Sequence, residues 1–174
     1  MDPSTAVLVA ITALIGYLIG SIPVANLVAR RHGAADLREV GDHNPGYWNA
    51  KEVLGRRHAL PVFAGDVAKG AAGALVGLAL APSGVWGMAY VGAGAAMVGH
   101  AFPLFAGFRG GRSVLTFVGG AIVFAPLAAA VAILALVLSW AMSRSCAVAA
   151  RVGIVVFPIA QLVVDGPYRT AATG

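Results

Sequence analysis

The fold follows from residues 5–27, which read TAVLVAITALIGYLIGSIPVANL and include no charged residue. An apolar run of this length can cross the hydrocarbon core of a bilayer as one helix, which requires about 20 residues. The run is longer than the apolar core of a secretory signal, roughly 7–15 residues, and no basic residue precedes it. We therefore predict a first transmembrane helix. The pair Arg30-Arg31 directly after it predicts that its C-terminal end faces the cytoplasm.

The whole chain shares this apolar character. Hydrophobic residues make up 59% of its 174 residues and charged residues 11%, whereas soluble domains are about half apolar and about a quarter charged. The length suffices for about five or six membrane helices and little else. We therefore predict an all-α, polytopic transmembrane helix bundle with cytoplasmic glycine-containing loops, organised as a single integral membrane domain over residues 1–174.

Apolar length indicates three more spans. Residues 60–81 are predicted to return across the membrane and residues 85–108 to come back, with a turn at Pro82-Ser83-Gly84 between them. A last span is predicted from about residue 152 to residue 164. This assignment leaves residues 165–174 as a short outer tail.

Residues 114–142 are ambiguous, because the segment is long for one crossing and short for two. Pro126 lies in its middle, where proline removes a helix hydrogen bond and favours a break. If the segment crosses the membrane once, Arg144 and Arg151 lie outside. If it enters and returns through a short helix and a longer one, both arginines lie on the cytoplasmic side. The positive-inside rule favours this second alternative.

The basic residues are concentrated between the spans. Eight of the twelve Lys and Arg residues lie in two segments, residues 30–57 and 109–112. The net charge of +5 would also suit nucleic acid, but this distribution is typical of cytoplasmic loops that contact anionic lipids. The single Cys146 allows neither an internal disulfide nor a cysteine metal cluster. We therefore expect membrane lipids as partners, no nucleic acid and no metal site.

Two short loops carry most of the remaining polar chemistry. They are Gly41-Asp42-His43-Asn44-Pro45-Gly46 and Phe108-Arg109-Gly110-Gly111-Arg112-Ser113. Together they bring backbone amides, imidazole and guanidinium groups to one membrane face. Such donors are suited to an anionic substrate of the size of a lipid headgroup.

Three ionisable residues lie within the predicted spans, where charge is costly and often functional. Asp66 and Lys69 are three residues apart, so they share a helix face and can neutralise each other. His100 is within a few helical turns of Arg109. For each of the three residues a structural role and a substrate contact both remain open.

Five motifs carry a family resemblance by their order and spacing. They are Gly20-Ser21-Ile22-Pro23, residues 41–49, Asp66-Val67-Ala68-Lys69-Gly70, Gly99-His100-Ala101-Phe102-Pro103, and residues 108–116. In these motifs, over roughly residues 16–151, the chain resembles the bacterial acyl-phosphate:glycerol-3-phosphate acyltransferases, the PlsY family. The resemblance implies transfer of a fatty acyl group from acyl phosphate to the 1-hydroxyl of glycerol 3-phosphate. The product would be lysophosphatidic acid for phospholipid biosynthesis, made without a metal or an organic cofactor.

The resemblance also implies site residues. The catalytic candidates are Asp42, His100 and Arg112. The candidates for binding substrate and phosphate are Asn44, Gly46, Asn49, Lys69, Arg109, Gly110, Gly111 and Ser113. Acyl phosphate and glycerol 3-phosphate are the expected small-molecule partners, and the sequence carries no prediction of oligomeric state.

The chain departs from the family pattern in both loops. Asp42 stands where the family has Ser, Tyr47-Trp48 replaces Ala-Thr, and Glu52 replaces an Arg. A carboxylate near bound phosphate should repel it by several tenths to a few kcal/mol, depending on burial. In the second loop Arg replaces both Lys residues, and residues 165–174 contain neither the His nor the Asn of the family's C-terminal motif.

Three hypotheses follow for the function. The first is an acyltransferase of this family. The second is a catalytically weak or inert relative that binds phospholipid precursors or partners an active enzyme. The third is a small anion transporter, because polar groups inside a bundle also mark ion pathways. The lack of an inverted repeat disfavours the transporter.

Overall fold

The computed structural model describes residues 2–82 and 87–164, which form helices and no strand. The helices are α1 (Pro3–Gly20), α2 (Val24–Arg31), α3 (Tyr47–Leu54), α4 (Arg56–Leu80), α5 (Gly87–Ala101), α6 (Val114–Phe124), α7 (Pro126–Ser143) and α8 (Cys146–Val164). A 3-10 turn, Leu104–Ala106, follows α5. The all-α prediction is confirmed. Most of the turn predicted at Pro82-Ser83-Gly84 and all of the predicted outer tail lie outside the described residues.

Several of these helices match the dimensions of a bilayer. By length and apolar composition, five described segments can each cross a membrane: Pro3–Arg31, Arg56–Leu80, Gly87–Ala106, Pro126–Ser143 and Cys146–Val164. The chain is therefore a multi-pass membrane protein, as predicted.

The predicted first helix is interrupted near its end. Pro23 has no N–H to donate, and the chain breaks between α1 and α2 at residues 21–23. The carbonyl oxygen of Ile22 then accepts a hydrogen bond from Lys69 Nζ at 3.0 Å. The prediction of one continuous helix was therefore wrong at this proline. The break lets α2 turn Asn26 into the protein, where its side chain is buried.

The ambiguous segment 114–142 is divided in the structure. Pro126 is the first residue of α7, and the shorter α6 precedes it, so the second alternative is confirmed for the helix break. Arg144 ends α7 in the left-handed region with φ +54°, and Ser145 Oγ accepts the N–H of Val148 at 3.4 Å. The last helix consequently begins at Cys146 instead of residue 152. The predicted start was wrong, and Arg151 lies exposed within α8.

Glycine contacts set the spacing of the central helices. A Cβ on Gly92 of α5 would clash with the carbonyl of Gly73 on α4, and a Cβ on Gly119 of α6 would clash with Val67 on α4. Small residues allow such close approach of helix backbones in lipid. Because α4 and α5 pack this tightly, polar side chains on their facing surfaces meet directly.

Candidate active site

A buried cluster of three ionisable side chains joins α4 to α5. Lys69 Nζ lies 3.0 Å from Asp66 Oδ1 and 3.0 Å from His100 Nδ1. The three side chains are 3–7% exposed. The predicted pairing of Asp66 with Lys69 is confirmed, and His100 joins that pair.

Lys69 lies at the centre of the cluster and connects it to the end of α1. An ammonium group has three N–H donors and no acceptor. The group donates to the Ile22 carbonyl and faces both Asp66 Oδ1 and His100 Nδ1. Asp66 Oδ1 also lies 3.4 Å from His100 Nδ1, so the three side chains contact one another beside the break between α1 and α2.

The loop at residues 108–113 packs on the same histidine. The N–H of Gly111 donates to the His100 carbonyl at 3.1 Å, and that of Gly110 donates to the Ala101 carbonyl at 3.0 Å. A Cβ on Gly111 would clash with His100 Nε2, and one on Gly110 would clash with the His100 carbonyl. Both glycines thus permit contact between the loop and α5, and their amides are bonded to backbone carbonyls.

Ser113 anchors the far end of this loop. It has φ +58°, and its buried hydroxyl donates to the Met97 carbonyl at 2.7 Å. Its own carbonyl accepts the N–H of Phe117 at 2.8 Å in the first turn of α6. These bonds fix the direction in which the chain leaves Arg112.

The other loop is organised around Asn49. Its buried Nδ2 donates to the carbonyls of Leu37 at 2.8 Å and Val40 at 2.9 Å. Its Oδ1 accepts the N–H of Asp42 at 3.4 Å, and a Cβ on Gly41, which has φ +64°, would clash with it. Asn49 therefore holds the loop from within.

Asn44 and Gly46 complete the turn into α3. The N–H of Asn44 donates to Asp42 Oδ1 at 3.1 Å, and the N–H of Gly46 donates to the Asn44 carbonyl at 2.8 Å. Gly46 is the residue that precedes α3. These contacts give both residues a place in the loop geometry.

Two exposed ion pairs connect the loops. Arg109 Nη1 lies 3.2 Å from Glu39 Oε1, and Arg112 Nη2 lies 3.3 Å from Asp42 Oδ2. Both arginine side chains are about two-thirds exposed, at 64% and 68%. Exposed pairs of this kind contribute only about 0–1 kcal/mol. Either arginine can therefore exchange its carboxylate for another anion at little cost.

A third, less exposed pair fixes the first loop to the turn before Arg109. Arg38 Nη1 donates to the Ala106 carbonyl at 2.6 Å, and its guanidinium binds the Asp36 carboxylate at 2.5–3.1 Å. The hydrogen bond from Arg38 lowers the pKa of Asp36, and Asp36 in turn raises the pKa of Arg38.

These elements surround an open cleft of about 270 Å³. Five of the residues predicted for the site line it: Lys69, His100, Arg109, Gly110 and Gly111. The other six, Asp42, Asn44, Gly46, Asn49, Arg112 and Ser113, are outside its lining. Of these, Arg112 and Asp42 pair beside the cleft.

Two polar residues that line the cleft were missing from the predicted site. Asp66, for which both pairing with Lys69 and substrate contact were left open, was not among the predicted site residues, yet it lines the cleft. Asn26 lines it from α2. The signal for Asn26 was an amide within an otherwise apolar run.

The sequence model of the family described as Glycerol-3-phosphate acyltransferase matches residues 10–173. The glycerol-3-phosphate acyltransferase of Agrobacterium fabrum is 35% identical over 170 residues, 94% of this chain and 78% of the relative. That of Rubrobacter xylanophilus is 40% identical over 157 residues, 88% and 76% of the two chains. Glycerol-3-phosphate acyltransferase 3 of Dehalococcoides mccartyi is 40% identical over 129 residues, 68% of this chain, and the match spans 60% of that relative's length.

The fold is similar to crystal structures of PlsY (YgiH), an integral membrane glycerol 3-phosphate acyltransferase. The glycerol 3-phosphate form gives a TM-score of 0.83 at 28% identity, over 93% of this chain and 80% of that one. The lysophosphatidic acid form gives 0.79 at 25% identity, over 89% and 76%. On this evidence the chain belongs to the glycerol-3-phosphate acyltransferase family of PlsY.

Proposed function

We propose that this protein transfers a fatty acyl group from acyl phosphate to the 1-hydroxyl of glycerol 3-phosphate and releases lysophosphatidic acid. The observation that carries the proposal is the cleft, where Lys69, His100 and the loop containing Arg109 meet at one end of the bundle. Membership of the acyltransferase family supports the same activity.

Both substrates carry phosphate, and the exposed arginines are the groups that bind it in this proposal. A guanidinium presents parallel N–H donors that match phosphate oxygens. Within the described part of the chain, Arg109 and Arg112 pair with exposed carboxylates. A phosphate dianion brings more charge than either carboxylate, so it displaces Glu39 or Asp42.

The chemistry requires positioning more than activation, because acyl phosphate is already a mixed anhydride. The 1-hydroxyl oxygen attacks the acyl carbonyl carbon, the carbon–oxygen bond to phosphate breaks, and an ester forms. The released phosphate leaves with the hydroxyl proton. The cleft contributes by holding the two substrates together and by stabilising the developing oxyanion. The His100 carbonyl holds the loop by accepting the N–H of Gly111, and Lys69 contacts the His100 ring.

The location of the loops follows from the same chemistry. The two segments that carry the loops, residues 30–57 and 109–112, contain eight of the twelve Lys and Arg residues, which supports a cytoplasmic face for the site. Glycerol 3-phosphate and the phosphate group of acyl phosphate are polar and suit the aqueous face, while the acyl chain can remain among the helices. Membrane lipids therefore surround the protein, and the product is released into them.

The ion pair of Arg112 with Asp42 favours a second candidate, an inert relative. If Asp42 holds Arg112 permanently, the protein binds phospholipid precursors without turning them over. The two candidates differ only in turnover, so one assay separates them.

The test is acyl transfer by the purified protein in a lipidic medium, with acyl phosphate and labelled glycerol 3-phosphate. We expect lysophosphatidic acid from the wild type. Removal of one donor that stabilises the reacting phosphates costs about 10²–10³ in rate, so Arg112→Ala should lose nearly all turnover. The matched control is Arg57→Ala, which removes an exposed arginine outside the cleft and should retain activity. Binding of glycerol 3-phosphate without product, in folded wild type, would favour the inert relative.

A further inference from the structure

Two basic segments of identical sequence lie at the ends of two membrane helices. Residues 30–32 are at the end of α2, residues 56–58 are at the start of α4, and both read Arg-Arg-His. Their histidines meet, because the ring centroids of His32 and His58 are 4.3 Å apart. The segment that α2 completes and helix α4 can each cross a membrane. The contact therefore places both segments, which together we call the basic cluster, at the same membrane surface.

The arginines of the basic cluster have no carboxylate partner within residues 2–82 and 87–164. Three other arginines of this part of the chain form ion pairs, but these four do not: Arg30, Arg31, Arg56 and Arg57. Arg30 does help to lower the pKa of Asp36, after the larger effect of Arg38, and Arg38 binds that carboxylate. All four arginines are exposed. Like charges held close together repel one another, and an anion from outside the protein relieves that repulsion.

Apolar side chains adjoin the basic cluster on the same helix faces. Leu27 lies four residues before Arg31 in α2, so the two side chains are neighbours. Leu60 lies four residues after Arg56 in α4 and is its neighbour in the same way. Both leucines are about half exposed, at 52% and 53%. Each leucine is one turn farther into the membrane than its arginine, which matches a lipid with its headgroup at the surface and its acyl chains below.

We propose that the basic cluster binds the headgroup of an anionic phospholipid, with Arg31 and Arg56 on the phosphate and Leu27 and Leu60 against the acyl chains. Guanidinium N–H donors match phosphate oxygens. The charge pattern of the sequence predicts contact with anionic lipids along the whole basic region, and the histidine contact reduces this to one site built from two helices. None of these four residues lines the cleft. The lipid site is therefore separate from the proposed acyl transfer.

The test is lipid binding by native mass spectrometry of the purified protein in detergent. The probes are dioleoyl phosphatidylglycerol and dioleoyl phosphatidylcholine, which have the same acyl chains and differ in net charge. The wild type should bind phosphatidylglycerol more tightly. Each arginine near a membrane surface adds about fivefold to the affinity for anionic lipid, so Arg31→Gln/Arg56→Gln should bind phosphatidylglycerol about 25-fold more weakly. Its binding of phosphatidylcholine should be unchanged.

The matched control is Arg144→Gln/Arg151→Gln, which removes the same charge from two exposed positions around the start of α8. It should keep the wild-type affinity for phosphatidylglycerol. Equal weakening in the two double variants would reduce the effect to net charge and overturn the proposal. A wild type without preference between the two lipids would also overturn it.

A third probe separates a lipid from a soluble anion. Glycerophosphoglycerol carries the same phosphate diester as phosphatidylglycerol and no acyl chains, so it lacks the part that contacts Leu27 and Leu60. The wild type should bind it more weakly than the lipid. Equal affinity for the two would assign the basic cluster to a soluble anion and contradict the lipid site.

Discussion

The buried cluster on α4 and α5 and the exposed ion pairs between the loops both pair acidic with basic side chains. They differ in how far those side chains are exposed. Asp66, Lys69 and His100 lie within 3.0–3.4 Å of one another and are almost fully buried. Arg109 and Arg112 make pairs of similar length in the open. Breaking a buried pair leaves an uncompensated charge and costs about 3–5 kcal/mol, whereas exposed pairs are worth about 0–1 kcal/mol.

This difference assigns the two regions different tasks. The buried cluster is a fixed support that orients His100 and, through it, the glycine loop. The exposed arginines are available for exchange, because water and substrate can replace their carboxylate partners. A site that binds and releases phosphate needs both properties. The predictions below alter one region at a time.

The largest effect is expected from Lys69→Met, which leaves Asp66 buried without its counter-charge. We expect a loss of stability of about 3–5 kcal/mol, measured by unfolding in detergent. The double variant Asp66→Asn/Lys69→Met removes both charges and should recover much of that loss. Arg109→Met, the exposed counterpart, should change stability by about 1 kcal/mol or less. Equal losses in Lys69→Met and Arg109→Met would contradict the distinction.

Gly111→Ala tests the contact that links the two regions. The new Cβ would clash with His100 Nε2, so the loop or the imidazole must move. We expect turnover to fall about tenfold to hundredfold, since misplacement by about 1 Å can cost that much. Gly94→Ala is the matched control, because a Cβ there meets open space. Full activity in Gly111→Ala would show that the loop position is unimportant for turnover.

Asp42→Ser removes the carboxylate that competes for Arg112. The apparent affinity for glycerol 3-phosphate should rise by up to about fivefold, as expected for losing an exposed pair of up to about 1 kcal/mol. Steady-state KM at low and high salt measures this change, and the gain should shrink with salt. Glu39→Gln, which frees Arg109 instead, serves as the comparison. A weaker affinity in Asp42→Ser would assign Asp42 a direct part in substrate binding.

Asp36→Asn removes the carboxylate of the Asp36–Arg38 pair, which is less exposed than the Arg109–Glu39 pair. Its bond to Arg38 lowers the pKa of Asp36 below the ordinary value of 3.8. The charged form is therefore favoured by folding, and its contribution is present above that value and lost as pH falls through the lowered pKa. We expect the wild type to lose up to about 1 kcal/mol more stability than Asp36→Asn on acidification below about pH 4. Parallel pH profiles of thermal unfolding would contradict this.

Much of the fold was predictable, because it depends on local features. Apolar length defines the spans, and Pro126 breaks the helix through its missing N–H. The spacing of Asp66 and Lys69 also predicts their pairing on one helix face. Pro23 lacks an N–H just as Pro126 does. The break at Pro23 was not predicted because the surrounding apolar run was interpreted as one helix. The start of α8 was misplaced because Arg151 was interpreted as a boundary, although an exposed arginine fits within a membrane helix end.

The candidate site was predictable only as a set of residue types. Sequence spacing does not show that Asn49 points inward to hold the first loop, or that the amides of Gly110 and Gly111 bond to α5. These outcomes depend on tertiary packing between elements far apart in the chain. Asn26 reaches the cleft for the same reason, because the break at Pro23 turns α2 inward.

The most direct test is a crystal structure of this protein grown in a lipidic mesophase with glycerol 3-phosphate. Our account predicts that the phosphate replaces a carboxylate on Arg109 or Arg112, and that Asp66, Lys69 and His100 keep their present distances. A phosphate bound to Lys69 in an opened cluster, with Arg109 still on Glu39 and Arg112 still on Asp42, would contradict the account.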